Sequence, residues 1–246
     1  MRRVTLFAAV QVAATLLFVG APQALAQSVE TPASAVPAPA KAQKTKKLAI
    51  VLFPRYETLD VFGPVEMWGR LDDYEVVTVS EHGGSVTSAQ GIETVTNYSF
   101  EDAPQFEIIM IPGGMGTRTE VNNPAMLEFL RNQDKGTEYT TSVCTGSAVL
   151  AKAGLLDGHK ATSNKMAWKF ATSQDDDVLW QSRARWVEDG KYITSSGISA
   201  GTDMALGLVA KIDGREKADY VAKTAEYIWN DDPSNDPFAV DEASAN

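Results

Sequence analysis

Residues 140–150 read "TTSVCTGSAVL": a β-branched run that ends at Cys144 and gives way at once to small residues compatible with a helix. A strand that turns into a helix at a single cysteine places that residue where backbone N–H groups are unpaired and the helix dipole is positive. Both favour a thiolate, and cysteines in such places can titrate at roughly 3.5–7.5 instead of near 8.5. The junction has the form of a nucleophile elbow, in which a sharp turn lifts the reactive atom above a sheet, and Gly146 relieves crowding two residues on. The alternative is a buried structural cysteine, a common place for a free thiol.

Working outward, the flanking segments alternate in type. "KKLAIVLF" (46–53) and "FEIIMIPGG" (106–114) are nearly continuous apolar runs, as expected of strands covered on both faces. "YEVVTVSE" (74–81) reads as a further strand, "VTSAQGIETVTNYSF" (86–100) as a hairpin around Gln90-Gly91, and "ARWVEDGKYITSSG" (184–197) as a hairpin around Asp189-Gly190. Helices are expected over 60–71, with Asp60 as N-cap, over 122–133 with Pro124 in the first turn, and over 145–156. Two more, "SAGTDMALGLVAKI" and "EKADYVAKTAEYIWN", end the domain. This alternation predicts an α/β fold: a mostly parallel central sheet with helices on both faces. Ligands of such sheets bind beyond the carboxyl ends of the strands, and Asp60, Gly113-Gly114, Cys144 and the segment 197–201 all fall there.

The termini carry different signals. Met1-Arg2-Arg3 is a short basic start, residues 4–21 hold no charge, and Ala24 and Ala26 occupy A-x-A positions, so residues 1–26 read as a secretory signal cut after Ala26. An uncleaved anchor is the alternative, since about 18 apolar residues approach a span. Residues 27–46, rich in Ala, Pro and Lys, read as a disordered linker, leaving 47–232 as one domain and 233–246 as an acidic tail that closes over a partner or lies loose. Losing Arg2 and Arg3 takes the net charge from −10 to −12, which argues against a nucleic-acid partner. One cysteine in an exported, periplasmic chain forms no internal disulfide.

Histidine is the usual helper of a cysteine nucleophile, but only His82 and His159 are present, both in turns, and a helix after Cys144 would carry His159 away from the thiol. A partly desolvated carboxyl group can replace it. Asp60, flanked by Leu59 and Val61, and Glu66 are the candidates, while Gly113, Gly114 and the N–H of Thr145 could form a hole for developing negative charge. Tyr56, Trp68 and Trp168 belong to the pocket wall or to the core.

Together, "VLFPRYETLDVFGPVEMW", "IIMIPGGMGTR", "TSVCTGSAVLAKAGLLDGHKAT" and "YITSSGISAGTDMALGLVA" resemble the ThiJ/PfpI superfamily, a class I glutamine amidotransferase-like, flavodoxin-like three-layer fold. Within it, "LDVFGP" with "SVCTG" looks like the isonitrile hydratase branch; the peptidase and glyoxalase branches tend to carry Glu on the first loop and His after Cys, where Thr145 stands here. The resemblance implies Cys144 as nucleophile, Asp60 as acid and base, Thr145 and Gly114 as anion-stabilising contacts, and Gly113, Gly146 and Ser199 as further substrate contacts. It implies a homodimer, a small-molecule substrate, and no metal or organic cofactor. Water would add to an isonitrile through a thioimidate. Rival readings are a glyoxalase- or deglycase-type enzyme acting on reactive carbonyls, and a non-catalytic ligand-binding or redox-sensing domain. Many relatives carry His in the segment after the elbow helix, where this chain has Asn164 and Lys165.

Overall fold

The computed structural model describes residues 44–240. The expected signal, residues 1–26, most of the linker and the last six residues lie outside the described residues.

In chain order the elements are β1 (Lys46–Val51), α1 (Thr58–Trp68), β2 (Tyr74–Ser80), β3 (Ser85–Thr87), β4 (Glu93–Val95), β5 (Tyr98–Ser99), β6 (Ile108–Ile111), α2 (Thr117–Glu120) and α3 (Pro124–Asp134). They continue with β7 (Tyr139–Val143), α4 (Gly146–Lys152), β8 (Lys160–Ala161), α5 (Trp168–Thr172), β9 (Leu179–Trp180), β10 (Trp186–Asp189), β11 (Tyr192–Ser195), α6 (Ala200–Asp213) and α7 (Arg215–Thr224). Seven strands form the central sheet in the order β10-β11-β7-β6-β1-β2-β5. Every pairing is parallel except β10 with β11. The β3–β4 hairpin and the β8–β9 pair are separate ribbons.

The apolar runs account for the centre of this order. Leu48 to Val51 of β1 and all four residues of β6 have no solvent exposure, which requires helices on both faces. One helical group is α1, α6 and α7; α2, α3 and α5 pack on α4. α1 approaches α6 closely because Gly63 leaves no room for a Cβ beside Thr202. The indole N–H of Trp68 then donates to the Ala205 carbonyl at 3.1 Å. Trp68 and Tyr56 are fully enclosed and Trp168 is buried, which places all three among the core residues.

Several expected boundaries move. β1 begins at Lys46, inside the expected linker. Helix α1 begins at Thr58 with Glu57 as N-cap, so Asp60 lies within the first turn and does not cap it. Helix α4 stops at Lys152, before Gly154 with its φ of +72°. α7 ends at Thr224, and the following Tyr227, Trp229 and Asn230 bind Asp203 as a loop. Of the expected acidic tail, residues 233–240 pack on the domain, with Asp236 buried, and residues 241–246 lie outside the described residues.

Candidate active site

Three parallel strands set the site. β7 ends at Val143, and Cys144 takes a φ of +58°, in the left-handed region that an L-residue enters only under constraint. Its N–H donates to the Ser195 carbonyl at the end of β11 (3.1 Å). Its carbonyl accepts from the hydroxyls of Ser147 (3.1 Å) and Ser163 (3.0 Å). The backbone at the elbow is therefore held on both sides, as the nucleophile elbow requires. Gly146 presses against the Ile111 carbonyl, where no Cβ fits; it serves the close approach of α4 to β6 and is itself buried.

The loop after β6 supplies the second wall. A Cβ on Gly113 would lie 2.7 Å from Cys144 Cβ and 2.8 Å from Asp60 Oδ2, so this glycine separates the two side chains by backbone alone. Gly113 N–H donates to Asp60 Oδ2 (2.9 Å), and Gly114 N–H donates to Thr145 Oγ1 (3.2 Å). Gly113 and Gly114 were expected to turn free N–H groups towards substrate; both are already engaged. Gly114 instead holds its φ of +119° where a Cβ would strike Tyr56 and Glu57 backbone. The Thr145 hydroxyl also accepts from Thr117 (3.0 Å), while the Thr145 N–H faces the sulfur and is the donor left for developing charge.

Asp60 is fully enclosed, and its Oδ1 receives no hydrogen bond from any described group. Burial pushes the carboxyl well above the ordinary carboxylate range; the Gly113 N–H opposes this, Glu57 adds repulsion, and the nearby thiol opposes it slightly. Cys144 is 6 % exposed. Burial first, then the charge on Asp60, push its thiol well above its ordinary value, against the N–H and hydroxyl of Thr145. This direction is opposite to the one the helix start favours: desolvation and a neighbouring carboxyl act against the dipole of α4, which is only seven residues long.

Other candidates stand elsewhere. Glu66 is solvent-facing and pairs with Arg70 at 3.0 Å. His159 Nδ1 lies 3.4 Å from Asp189 Oδ2, at the end of the β10–β11 hairpin opposite Ser195, and His82 is exposed after β2. Neither reaches Cys144. Among the described residues no cluster of three or more His, Cys, Asp or Glu side chains could hold a metal ion.

A cavity of about 560 Å³ is lined by Glu57, Asn164, Lys165, Gly197 and Ser199 together with apolar side chains; Cys144 does not line it, and Gly197 stands between the cavity and the thiol. A Cβ on Gly197 would lie 2.7 Å from Cys144 Sγ and would also strike Asn164 Nδ2. Asn164 Oδ1 accepts the Ala167 N–H at 2.9 Å, which fixes the amide so that its NH₂ faces Gly197, the residue that also packs on Cys144 Sγ. Ser199 is exposed at the start of α6 and belongs to the same wall. Asn164 is the functional candidate that motif reading leaves without a role.

Residues 46–211 match the DJ-1/PfpI family. The chain is 35% identical over 181 residues to the isonitrile hydratase of Pseudomonas putida, covering 74% of this chain and 78% of that protein. It is 30% identical over 154 residues to the HTH-type transcriptional regulator CdhR of Pseudomonas aeruginosa, of which it spans 45%. A crystal structure of a ThiJ/PfpI family protein from Pseudomonas syringae superposes with a TM-score of 0.67 at 31% identity, covering 74% of this chain and 75% of that one. The elbow cysteine, the parallel sheet beneath it and these similarities agree: this chain belongs to the DJ-1/PfpI family.

Proposed function

We propose that this chain is a cysteine-dependent hydratase that adds water to a small isonitrile and releases an N-substituted formamide. The observation that carries the reading is the enclosure of the Cys144 thiol with the Asp60 carboxyl, with no histidine within reach. An isonitrile needs a nucleophile and a proton at one and the same carbon. A soft thiol and a single carboxyl that can both take and return a proton suit that demand.

In this mechanism Asp60 takes the thiol proton as Sγ bonds to the terminal carbon of R–NC, and the same carboxylic acid returns the proton to that carbon. The product is a thioimidate, R–N=CH–S–Cys144. Water then adds to this carbon, giving one proton to Asp60 while the nitrogen receives one from it, so that R–NH–CH(OH)–S–Cys144 forms. The C–S bond breaks, the hydroxyl proton passes through Asp60 to sulfur, and R–NH–CHO leaves. The N–H of Thr145 offsets charge on sulfur in the first and last steps, and the amide of Asn164 donates to the substrate nitrogen. The buried carboxyl suits this cycle because its raised pKa brings it towards the operating pH.

The test is formamide formation from methyl and cyclohexyl isonitrile, followed by mass spectrometry with ¹⁸O-water. Label in the formamide carbonyl, lost in Cys144→Ala, is the expected result; no formamide from any isonitrile sinks the proposal. A second reading, ligand binding without turnover, is supported by the similarity to the regulator CdhR, and predicts saturable binding with no product. Lactate from methylglyoxal would instead point to the carbonyl-directed reading. The basic start and A-x-A end of residues 1–26 support export, to be tested by the N-terminal sequence of the protein recovered from periplasm.

A further inference from the structure

Residues 231–240 come after α7 and lie beyond residue 211, where the family match ends. This strap is tied to the domain along its length. The Pro233 carbonyl accepts the N–H groups of Arg185 (2.8 Å) and Trp186 (3.3 Å), and Asp236 N–H donates to the Arg183 carbonyl (3.1 Å). The Asp236 side chain has no solvent exposure and lies 3.7 Å from Lys165 Nζ and 3.8 Å from Arg185 Nη1. Lys165 also donates to Thr162 Oγ1 (2.6 Å) and to the carbonyls of Ala184 (2.8 Å) and Ser163 (3.2 Å), and burial holds its ammonium down to about 8.

An acidic tail in water has no reason to drive one carboxylate beneath the surface, since desolvation opposes it unless cations are already in place. Asp236 also organises the next few residues of the strap. Its Oδ1 accepts the Phe238 N–H (3.0 Å) and its carbonyl accepts the Ala239 N–H (2.9 Å). Phe238, Ala239 and Val240 then stand in the wall of the cavity that Gly197 joins to Cys144, and with Leu59, Met166 and Ile198 they form its apolar side, opposite the polar Glu57, Asn164 and Lys165. Phe238 is 66 % exposed, so it forms the outer rim and is no core residue. Lys165, which receives the anchor, is the sequence neighbour of Asn164, whose amide faces Gly197 beside the thiol.

We propose that the strap is the specificity-determining wall of this site: Phe238, Ala239 and Val240 complete an apolar compartment for a hydrocarbon substituent of the substrate, with Asp236 as the positioning residue that sets the wall. The identity of the reacting end rests on the hydratase reading; the shape of the compartment does not. A volume of about 560 Å³ lies within the usual range for small-molecule pockets.

The experiment uses the full chain and two alkylating probes with one warhead, iodoacetamide and N-cyclohexyl-iodoacetamide. The ratio of their rates at Cys144 reports recognition of the ring; it is read on folded protein isolated by size exclusion, because an unfolded chain exposes the thiol and alkylates without selectivity. Ala239→Trp fills the compartment and is expected to lower the cyclohexyl-to-unsubstituted ratio roughly tenfold. Asp236→Asn releases the wall and is expected to lower it several-fold. A ratio within about twofold of the parent in either variant overturns the proposal. The kcat/KM ratio for cyclohexyl over methyl isonitrile is expected to follow the same order. If the parent hydrates neither isonitrile, the hydratase reading fails while the alkylation ratios still decide the strap.

Discussion

Two buried groups of ionisable side chains lie near one another and are built on opposite principles. Around Arg185, each carboxylate faces a cation: Asp203 Oδ2 accepts from Nε at 2.7 Å and from Nη2 at 2.5 Å, and its Oδ1 accepts from the Tyr227 hydroxyl and the Asn230 N–H (both 3.0 Å). Asp236 Oδ2, like Asp60 Oδ1, receives no hydrogen bond, but it lies 3.7 Å from the Lys165 ammonium, and Asp236 Oδ1 lies 3.8 Å from Arg185 Nη1. Around Cys144, Asp60 has one backbone donor, no cation, and an oxygen that receives no hydrogen bond from the described residues. The first arrangement turns desolvation into fixed position. The second leaves desolvation unrelieved, which keeps two protons close to exchange and is the condition for a group that must change its protonation during a reaction.

The difference predicts opposite responses to removal of a carboxyl. The largest effect is expected in catalysis: Cys144→Ala abolishes formamide formation, and Asp60→Asn lowers kcat roughly 10²–10⁴-fold, in steady-state assays of folded protein. A fast Asp60→Asn enzyme would erase the contrast by showing that the unpaired carboxyl has no chemical task. In the paired group, Asp203→Ala leaves Arg185 buried without its main partner, and urea denaturation should show a loss of about 3–5 kcal/mol.

Asn164→Asp keeps the shape of the side chain but removes the NH₂ donor. It is expected to lower kcat/KM about tenfold or more while the Cys144→Ala background shows no further change. The smallest effect has the opposite sign. Because the folded-state pKa of Asp60 is raised, the unfolded chain gives up this proton at lower pH, so stability falls as pH rises from the ordinary carboxylate value up to the folded one. The ionisable carboxyl therefore destabilises the fold at neutral pH. Asp60→Asn should raise Tm at pH 7 by about 2–4 °C for each kcal/mol relieved, with little change at pH 3; a lower Tm at pH 7 would place Asp60 with the paired group.

The same contrast explains what sequence alone conveys. Unbroken apolar runs mark β1 and β6 because strands covered on both faces leave no place for polar residues, and Cys144 announces itself as the strand-to-helix junction. Asp60 is legible as a carboxyl among apolar neighbours. Its task is not: it resembles a cap until the Gly113 N–H is seen to hold it inward. Asp236 is illegible for a different reason. In "DDPSNDPFAVDE" it looks like every other solvated acid, and only the folded positions of Arg185 and Lys165 bring it inside. The titration of Cys144 is misjudged from sequence because the helix dipole can be inferred locally, whereas enclosure by segments after β1, β6 and β11 cannot.

The most direct test of the account is the pH midpoint of Cys144 alkylation by iodoacetamide in the parent and in Asp60→Asn. Enclosure and the Asp60 charge predict a parent midpoint above the roughly 8.5 of free cysteine, moving down when Asp60 becomes Asn. A midpoint below that of free cysteine, or one indifferent to Asp60, would contradict the claim that Cys144 and Asp60 act as one coupled pair.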